Sequence, residues 1–281
     1  MGQVGRFRPP RRVGTMAALA GTVLVLGGCG SDIAGSWEGL GLPGPGVTEE
    51  APLIGDLWIG TWIAAFGVGF LVWGLILWAS FAYRKKNDEV PVQTRFNMPI
   101  EFLYTATPFL IIGVLFFYTV DHQDRLLDES EPADLNVEVI GQQWSWTFNY
   151  LDEDVSTVGT TTDQPTLVLP VDQTVRFTLH SPDVIHSFWV PEFYMKMDVM
   201  PGLENSFQVT PNTEGTFKGR CAELCGAYHT RMLFDVEVVS AEEYEAHVDE
   251  LREDPDQEGI IEAPLRGGFE QTGDSQNEEE Q

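Results

Sequence analysis

Two long apolar runs precede a region in which apolar and polar residues alternate. The first, LWIGTWIAAFGVGFLVWGLILWASFAY at residues 57–83, contains no charged residue. It is long enough to cross a hydrocarbon core of about 30 Å as a helix. Trp58, Trp62, Trp78 and Tyr83 lie toward its ends, where interfacial aromatics concentrate. A second apolar run covers residues 100–120 and is interrupted near its start by Glu101. Between the runs, RKKNDEVPVQTR brings Arg84, Lys85, Lys86 and Arg95 into one short loop. Positive charge of this kind marks the cytoplasmic side. After the second run the chain turns acidic, with Asp121, Asp124, Asp128, Glu129 and Glu131. The pattern predicts a transmembrane hairpin over residues 56–121, with everything beyond it extracytoplasmic. An ionisable group at membrane depth is costly, which makes Glu101 a functional candidate.

From Leu135 the period becomes two. Leu135, Val137 and Val139 share one face, as do Leu167 and Leu169, and then Val175, Phe177 and Leu179. Such short, β-branched and aromatic runs, punctuated by Pro, Gly, Asp and Asn, predict an all-β Greek-key sandwich or barrel over residues 122–240. At Ser240 the period lengthens again. Ser240 and Glu243 form a capping-box pattern ahead of a helical composition. Residues 241–281 therefore read as a short helix and then an acidic tail, taken as disordered beyond Asp254.

The N-terminus is a targeting segment. Arg6, Arg8, Arg11 and Arg12 precede the apolar stretch from Met16 to Leu26, which ends in Leu26-Gly27-Gly28-Cys29. This resembles a bacterial lipobox. Residues 1–28 read as a lipoprotein signal peptide, Cys29 as the lipidated mature N-terminus, and residues 29–55 as an extracytoplasmic linker rich in Gly, Pro and acids.

Charge narrows the partners. The formal net charge of −27 argues against a nucleic-acid binder, since phosphates would be repelled, and favours a basic partner. Three cysteines make no disulfide framework. Two of them stand in CAELCGAYHTRM, spaced Cys221-x3-Cys225-x3-His229-x2-Met232. Thiolate, imidazole and thioether are soft or borderline ligands that converge in one loop just before a strand. His186, in the loop DVIHSFWVP, is the upstream histidine best placed to join them, whereas His180 reads as a strand residue. Zinc has no use for a methionine, and a blue-copper site uses one cysteine. Two thiolates bridging two copper ions, each with one histidine and one weak axial ligand, use the whole set and leave no open position for a substrate.

These motifs resemble subunit II of the haem-copper cytochrome c oxidases. The likeness runs from Leu57 to about Val239 and rests chiefly on Cys221-Ala-Glu223-Leu-Cys225-Gly-Ala-Tyr-His229-Thr-Arg-Met232. DVIHSFWVP, MKMDVMPG, GQQWSWTFNY and EFLYTATP add to it. The resemblance implies two membrane helices followed by a cupredoxin-like domain in a bacterial plasma membrane. It also implies a dinuclear copper centre held by His186, Cys221, Cys225, His229 and Met232, with the Glu223 carbonyl completing it. The Glu223 carboxylate would share a magnesium ion with subunit I. Trp144 would be the electron entry point, and Glu101 would lie at the mouth of a proton channel. The implied partners are subunits I and III of a proton-pumping aa3-type oxidase, and a c-type cytochrome or cytochrome bc-type complex. Leu203 departs from the family pattern, which often has an arginine there. The competing reading is a membrane-tethered copper store or chaperone, which calls for exposed, exchangeable ligands.

Overall fold

A computed structural model describes residues 39–88, 90, 93–255 and 257–262. Cys29 and most of the acidic tail lie outside the described residues. The chain divides after Gly44 into two units, and the second holds every element that follows.

Two helices come first, α1 (Ala51–Ala82) and α2 (Met98–Leu126). Their 32 and 29 residues give lengths of roughly 45 Å, more than a hydrocarbon core requires. Large apolar side chains stand exposed along both, among them Phe70, Trp73, Phe102, Phe109 and Phe116. A surface apolar all round suits lipid and not water. α1 starts at Ala51, within the stretch read from sequence as linker.

Ten strands follow: β1 (Leu135–Gln142), β2 (Ser145–Tyr150), β3 (Val155–Val158), β4 (Thr166–Pro170), β5 (Val175–His180), β6 (His186–Val190), β7 (Met195–Val199), β8 (Asn205–Val209), β9 (Gly215–Cys221) and β10 (Leu233–Val239). They form two five-stranded sheets, ordered β3-β2-β1-β5-β8 and β4-β10-β9-β6-β7. The β1–β5 and β4–β10 pairs are parallel and the others antiparallel. The alternating pattern is thus a sandwich, with Phe148, Phe177, Phe188, Phe207 and Phe234 fully buried in it. Phe188 stacks on Phe234 at 4.9 Å and Phe177 meets Phe207 at 5.2 Å. Burying each such ring contributes on the order of 2–3 kcal/mol. Gly219 makes the close approach possible: a Cβ there would lie 2.0 Å from Cε2 of Phe234. Any larger residue would push Phe234 off β9, two positions before Cys221.

α3 (Ala241–Glu253) starts at the capping box, where the Ser240 hydroxyl accepts the Glu243 N–H. Tyr244, Val248 and Leu251 bury its apolar side, and the helix packs on β3 and β4. The chain does not leave the domain at Asp254. The Ser156 N–H donates to the Gln257 carbonyl, Gly259 N–H to Asp154, and the Asn149 amide to Ile261. These are backbone-acceptor bonds, which leave no mark in apolar periodicity.

Both membrane helices are tied to the sandwich. Ahead of α1, Val47 N–H donates to the Glu192 carbonyl at 3.0 Å and Glu49 N–H to Thr210 at 3.0 Å. The Glu50 carboxylate accepts from Thr210 N–H. Burial raises its pKa despite these bonds. After α2, Glu129 pairs with Arg176 at 3.2 Å and accepts from the Ser206 hydroxyl at 2.6 Å.

Candidate metal centre

Four segments meet at one end of the sandwich. β9 ends on Cys221, β6 begins with His186, the loop between β9 and β10 carries Cys225, His229 and Met232, and the β1–β2 turn brings Gln143 and Trp144. The pairing of Phe188 with Cys221 across β6 and β9 sets the first two ligands side by side. A Cβ at Gly141 on β1 would lie 3.3 Å from Cβ of His186, so the imidazole rests against bare backbone.

His186, Cys221 and Cys225 are buried, and their ligand atoms lie within 4.8 Å of one another. His186 Nδ1 is 3.9 Å from Cys221 Sγ, and Cys221 Sγ is 3.8 Å from Cys225 Sγ. Cys225 Sγ has His229 Nδ1 at 3.6 Å and Met232 Sδ at 3.7 Å. The Glu223 carbonyl oxygen stands 3.2 Å from Cys221 Sγ. Each thiol therefore has its own imidazole, with one thioether and one carbonyl as weaker donors. Both cysteines are free. Donors about 2.0–2.3 Å from a shared ion at tetrahedral angles stand roughly 3.5–4 Å apart, so the set fits metal ligation.

The acid–base character agrees with that. Burial raises the Cys221 pKa, but His186, the Ser187 and Glu223 backbone and His229 outweigh it and bring the thiol to about 7. Cys225 is pushed up to about 12 by burial and by the charge on Cys221. Without a cation the second thiol resists ionising, and a cation between the two removes that penalty.

Asp183, which sequence reasoning passed over, orients the histidine. Its Oδ1 lies 2.8 Å from His186 Nε2, and its carboxylate accepts the N–H groups of Gln143 at 2.7 Å and Val184 at 2.6 Å. Burial alone would raise its pKa, but these bonds and His186 lower it. A carboxylate can only accept, so Nε2 carries the proton and Nδ1 turns its lone pair toward Cys221. For His186, burial depresses the pKa, yet the contacts with Cys221 and Asp183 leave it raised. The available signal was an aspartate three residues before the histidine. Gln143 was missed as well; its amide donates to the Cys225 carbonyl at 2.7 Å.

The family described as "Cytochrome C oxidase subunit II, periplasmic domain" matches residues 154–239. The chain is 47% identical to "Probable cytochrome c oxidase subunit 2" of Streptomyces avermitilis, over 97% of this chain and 95% of that one. It is 36% identical to "Cytochrome c oxidase subunit 2" of Mycobacterium tuberculosis, over 88% and 84% respectively. The chain belongs to the cytochrome c oxidase subunit 2 family. A solved structure, the periplasmic domain of subunit II of cytochrome oxidase (CoxB) of Bradyrhizobium japonicum, is 31% identical. It covers 44% of this chain and 96% of its own, with a TM-score of 0.41.

As an oxidase subunit 2, the protein is part of an oxidoreductase complex that includes subunit I. Its other expected sites are spread more widely. Trp146 is fully buried in the core, whereas Trp144 is half-buried beside the ligand loop. Gly226, at φ +130, lets the indole approach: a Cβ there would lie 3.1 Å from Nε1 of Trp144. The Glu223 side chain is exposed next to the ligands. Leu203 is exposed in the turn after β7. Glu101 lies far along the chain in the first turn of α2, where its Oε1 accepts the Asn97 N–H at 2.8 Å. That bond ties down one of the donors a helix N-terminus leaves open.

Proposed function

We propose that this chain is the electron-entry subunit of a proton-pumping, aa3-type terminal oxidase. It would be held in a bacterial plasma membrane by α1 and α2, with its sandwich on the extracytoplasmic side. His186, Cys221, Cys225, His229 and Met232, with the Glu223 carbonyl, would hold two copper ions. Bound there, the coppers supply one-electron transfer from a c-type cytochrome, free or within a cytochrome bc-type complex, to haem in subunit I. The mutual placement of His186, Cys221 and Cys225 with His229 and Met232 is the observation that carries this reading. Ligands drawn from β6, β9 and one loop, four of them buried and His229 half-buried, suit a retained metal better than one handed on, which disfavours a copper chaperone.

The surrounding residues take defined parts. Asp183 keeps the proton on Nε2 of His186 and holds the imidazole in place. Trp144 gives the donor an aromatic contact one hydrogen bond away from Cys225. The exposed Glu223 carboxylate would share a magnesium ion with subunit I, and Glu101 would serve a proton path that lies mostly in that subunit. Subunit III would complete the assembly, and Cys29 would carry a lipid.

Oxygen consumption by the purified complex, supplied with reduced c-type cytochrome, tests the proposal. Cys221→Ser should leave subunit I and its haems assembled while cytochrome-driven turnover falls by about a hundredfold or more, the scale expected when an electron-transfer route is cut. Wild-type turnover in an assembled Cys221→Ser complex would overturn it.

A further inference from the structure

Arg231 stands between the ligands His229 and Met232, and its side chain is exposed. Its guanidinium carbon lies 5.8 Å from the ring centroid of Tyr228. Tyr228 in turn meets Trp144 edge-on at 5.0 Å. Guanidinium, phenol and indole thus make one continuous row on the surface over the ligand loop. Arg231 also borders an open pocket of about 360 Å³, lined by Thr161, Thr162, Gln164, Thr230 and Leu233.

Three other cations of this domain are neutralised, whereas Lys196 and Arg220 join no ion pair among the described residues and Arg220 lies over the Trp189 ring. Arg176 pairs with Glu129, Lys218 with Asp235, and Arg252 with Glu153 and Asp249. Among the described residues no ion pair engages Arg231, in a chain whose net charge is −27. A guanidinium braced on an aromatic face offers a forked donor to a carboxylate, and neighbouring hydroxyls and an amide can complete the shell. The acidic surface attracts a basic donor from a distance but does not fix its rotation. One cation beside the proposed entry residue does.

We propose that Arg231 and the threonine-lined pocket bind an aspartate or glutamate side chain on the donor cytochrome, and so orient the donor over Trp144. This rests on the reading of Trp144 as the entry residue. Arg231 acts on orientation, not on the electron itself.

Long-range steering and local pairing give opposite signs for charge reversal, which makes the proposal testable. The measurement is the dissociation constant of the purified oxidase complex for oxidised, basic mitochondrial cytochrome c at low ionic strength. If only net charge mattered, Arg231→Glu would make the subunit more acidic and tighten binding. Pairing requires the reverse, a loss of about tenfold for Arg231→Glu, with Arg231→Lys losing only about threefold because charge survives but the fork does not. Metal content and thermal midpoint of each variant confirm that the loop is folded. Tighter or unchanged binding by Arg231→Glu, in a complex whose wild type binds and is reduced, overturns the role of Arg231 alone. A wild-type complex that the cytochrome neither binds nor reduces overturns the entry reading and this inference together.

Discussion

The indole Nε1 of Trp144 donates to the backbone carbonyl of Cys225 at 3.3 Å. The partly exposed ring is therefore linked through one hydrogen bond to a ligand residue, while Trp146, two positions on, donates to the Met232 carbonyl from inside the core. Trp144→Ala should slow reduction of the metal centre by a c-type cytochrome by about tenfold or more while metal content stays normal, since the contact and not the ligand set is lost. Stopped-flow mixing of the oxidase with reduced cytochrome reads this directly. A Trp144→Ala protein that folds, holds its metal and is reduced at the wild-type rate would exclude this entry route.

Glu101 has two possible jobs, and two substitutions separate them. Glutamine keeps an oxygen to accept the Asn97 N–H but removes the charge. Alanine removes both, and should cost about 0.5–2 kcal/mol at the start of α2. If Glu101 serves a proton path, both variants slow oxygen consumption and only alanine lowers the melting temperature. Glu101→Gln with unchanged turnover at every pH would leave Glu101 as a helix-end residue and nothing more.

His247 gives α3 a pH dependence. Its Nε2 is buried with no hydrogen-bond partner among the described residues, and its ring faces Tyr150 at 6.4 Å. Burial lowers its pKa below 6.5, against weaker opposing effects of Glu250 and Glu237. The folded state therefore prefers the neutral ring, and the unfolded state binds more protons once the pH drops below the ordinary value. Stability is full above about pH 6.5 and is lost as the pH falls through that value toward the depressed one. The protection of the α3 amides in the detergent-solubilised chain, after correction for the intrinsic exchange rate at each pH, should fall between about pH 7.5 and pH 5.5, and His247→Leu should flatten the change. An equal change in His247→Leu would assign it to other groups.

The N-terminus is tested by mass. The mature chain purified from membranes should begin at Cys29 and carry a lipid. An intact Met1, or an unmodified residue at the start, would reject the lipobox reading.

Much of the site was legible because its chemistry is local. Cys221, at the end of β9, and Cys225, His229 and Met232 in the loop after it fall within twelve residues, so their spacing alone suggests convergence, and residue type narrows the metal. His186 reads from sequence as a loop residue but is the first residue of β6, and the Phe188–Cys221 register brings it to the end of the sandwich where Cys221 lies. The strands were legible through their period of two, and α3 through its capping box. Gln143 and the contact of Trp144 with Tyr228 were not, because they join segments about 80 residues apart, and no periodicity records such contacts; Asp183 left only its place three residues before His186, which no periodicity singles out. For the same reason the return of residues 257–262 to β2 and β3 was invisible: these residues bond through their own backbone groups, partly to the Asn149 side chain, and apolar periodicity records neither.

The most direct test is the metal content and electron paramagnetic resonance spectrum of the purified, oxidised protein. Two coppers per chain are expected, with hyperfine structure from one unpaired electron shared by two copper nuclei. Both features should disappear in Cys221→Ser and in Cys225→Ser. One metal per chain, zinc in preference to copper, or the hyperfine pattern of a single copper nucleus would contradict the two-copper reading.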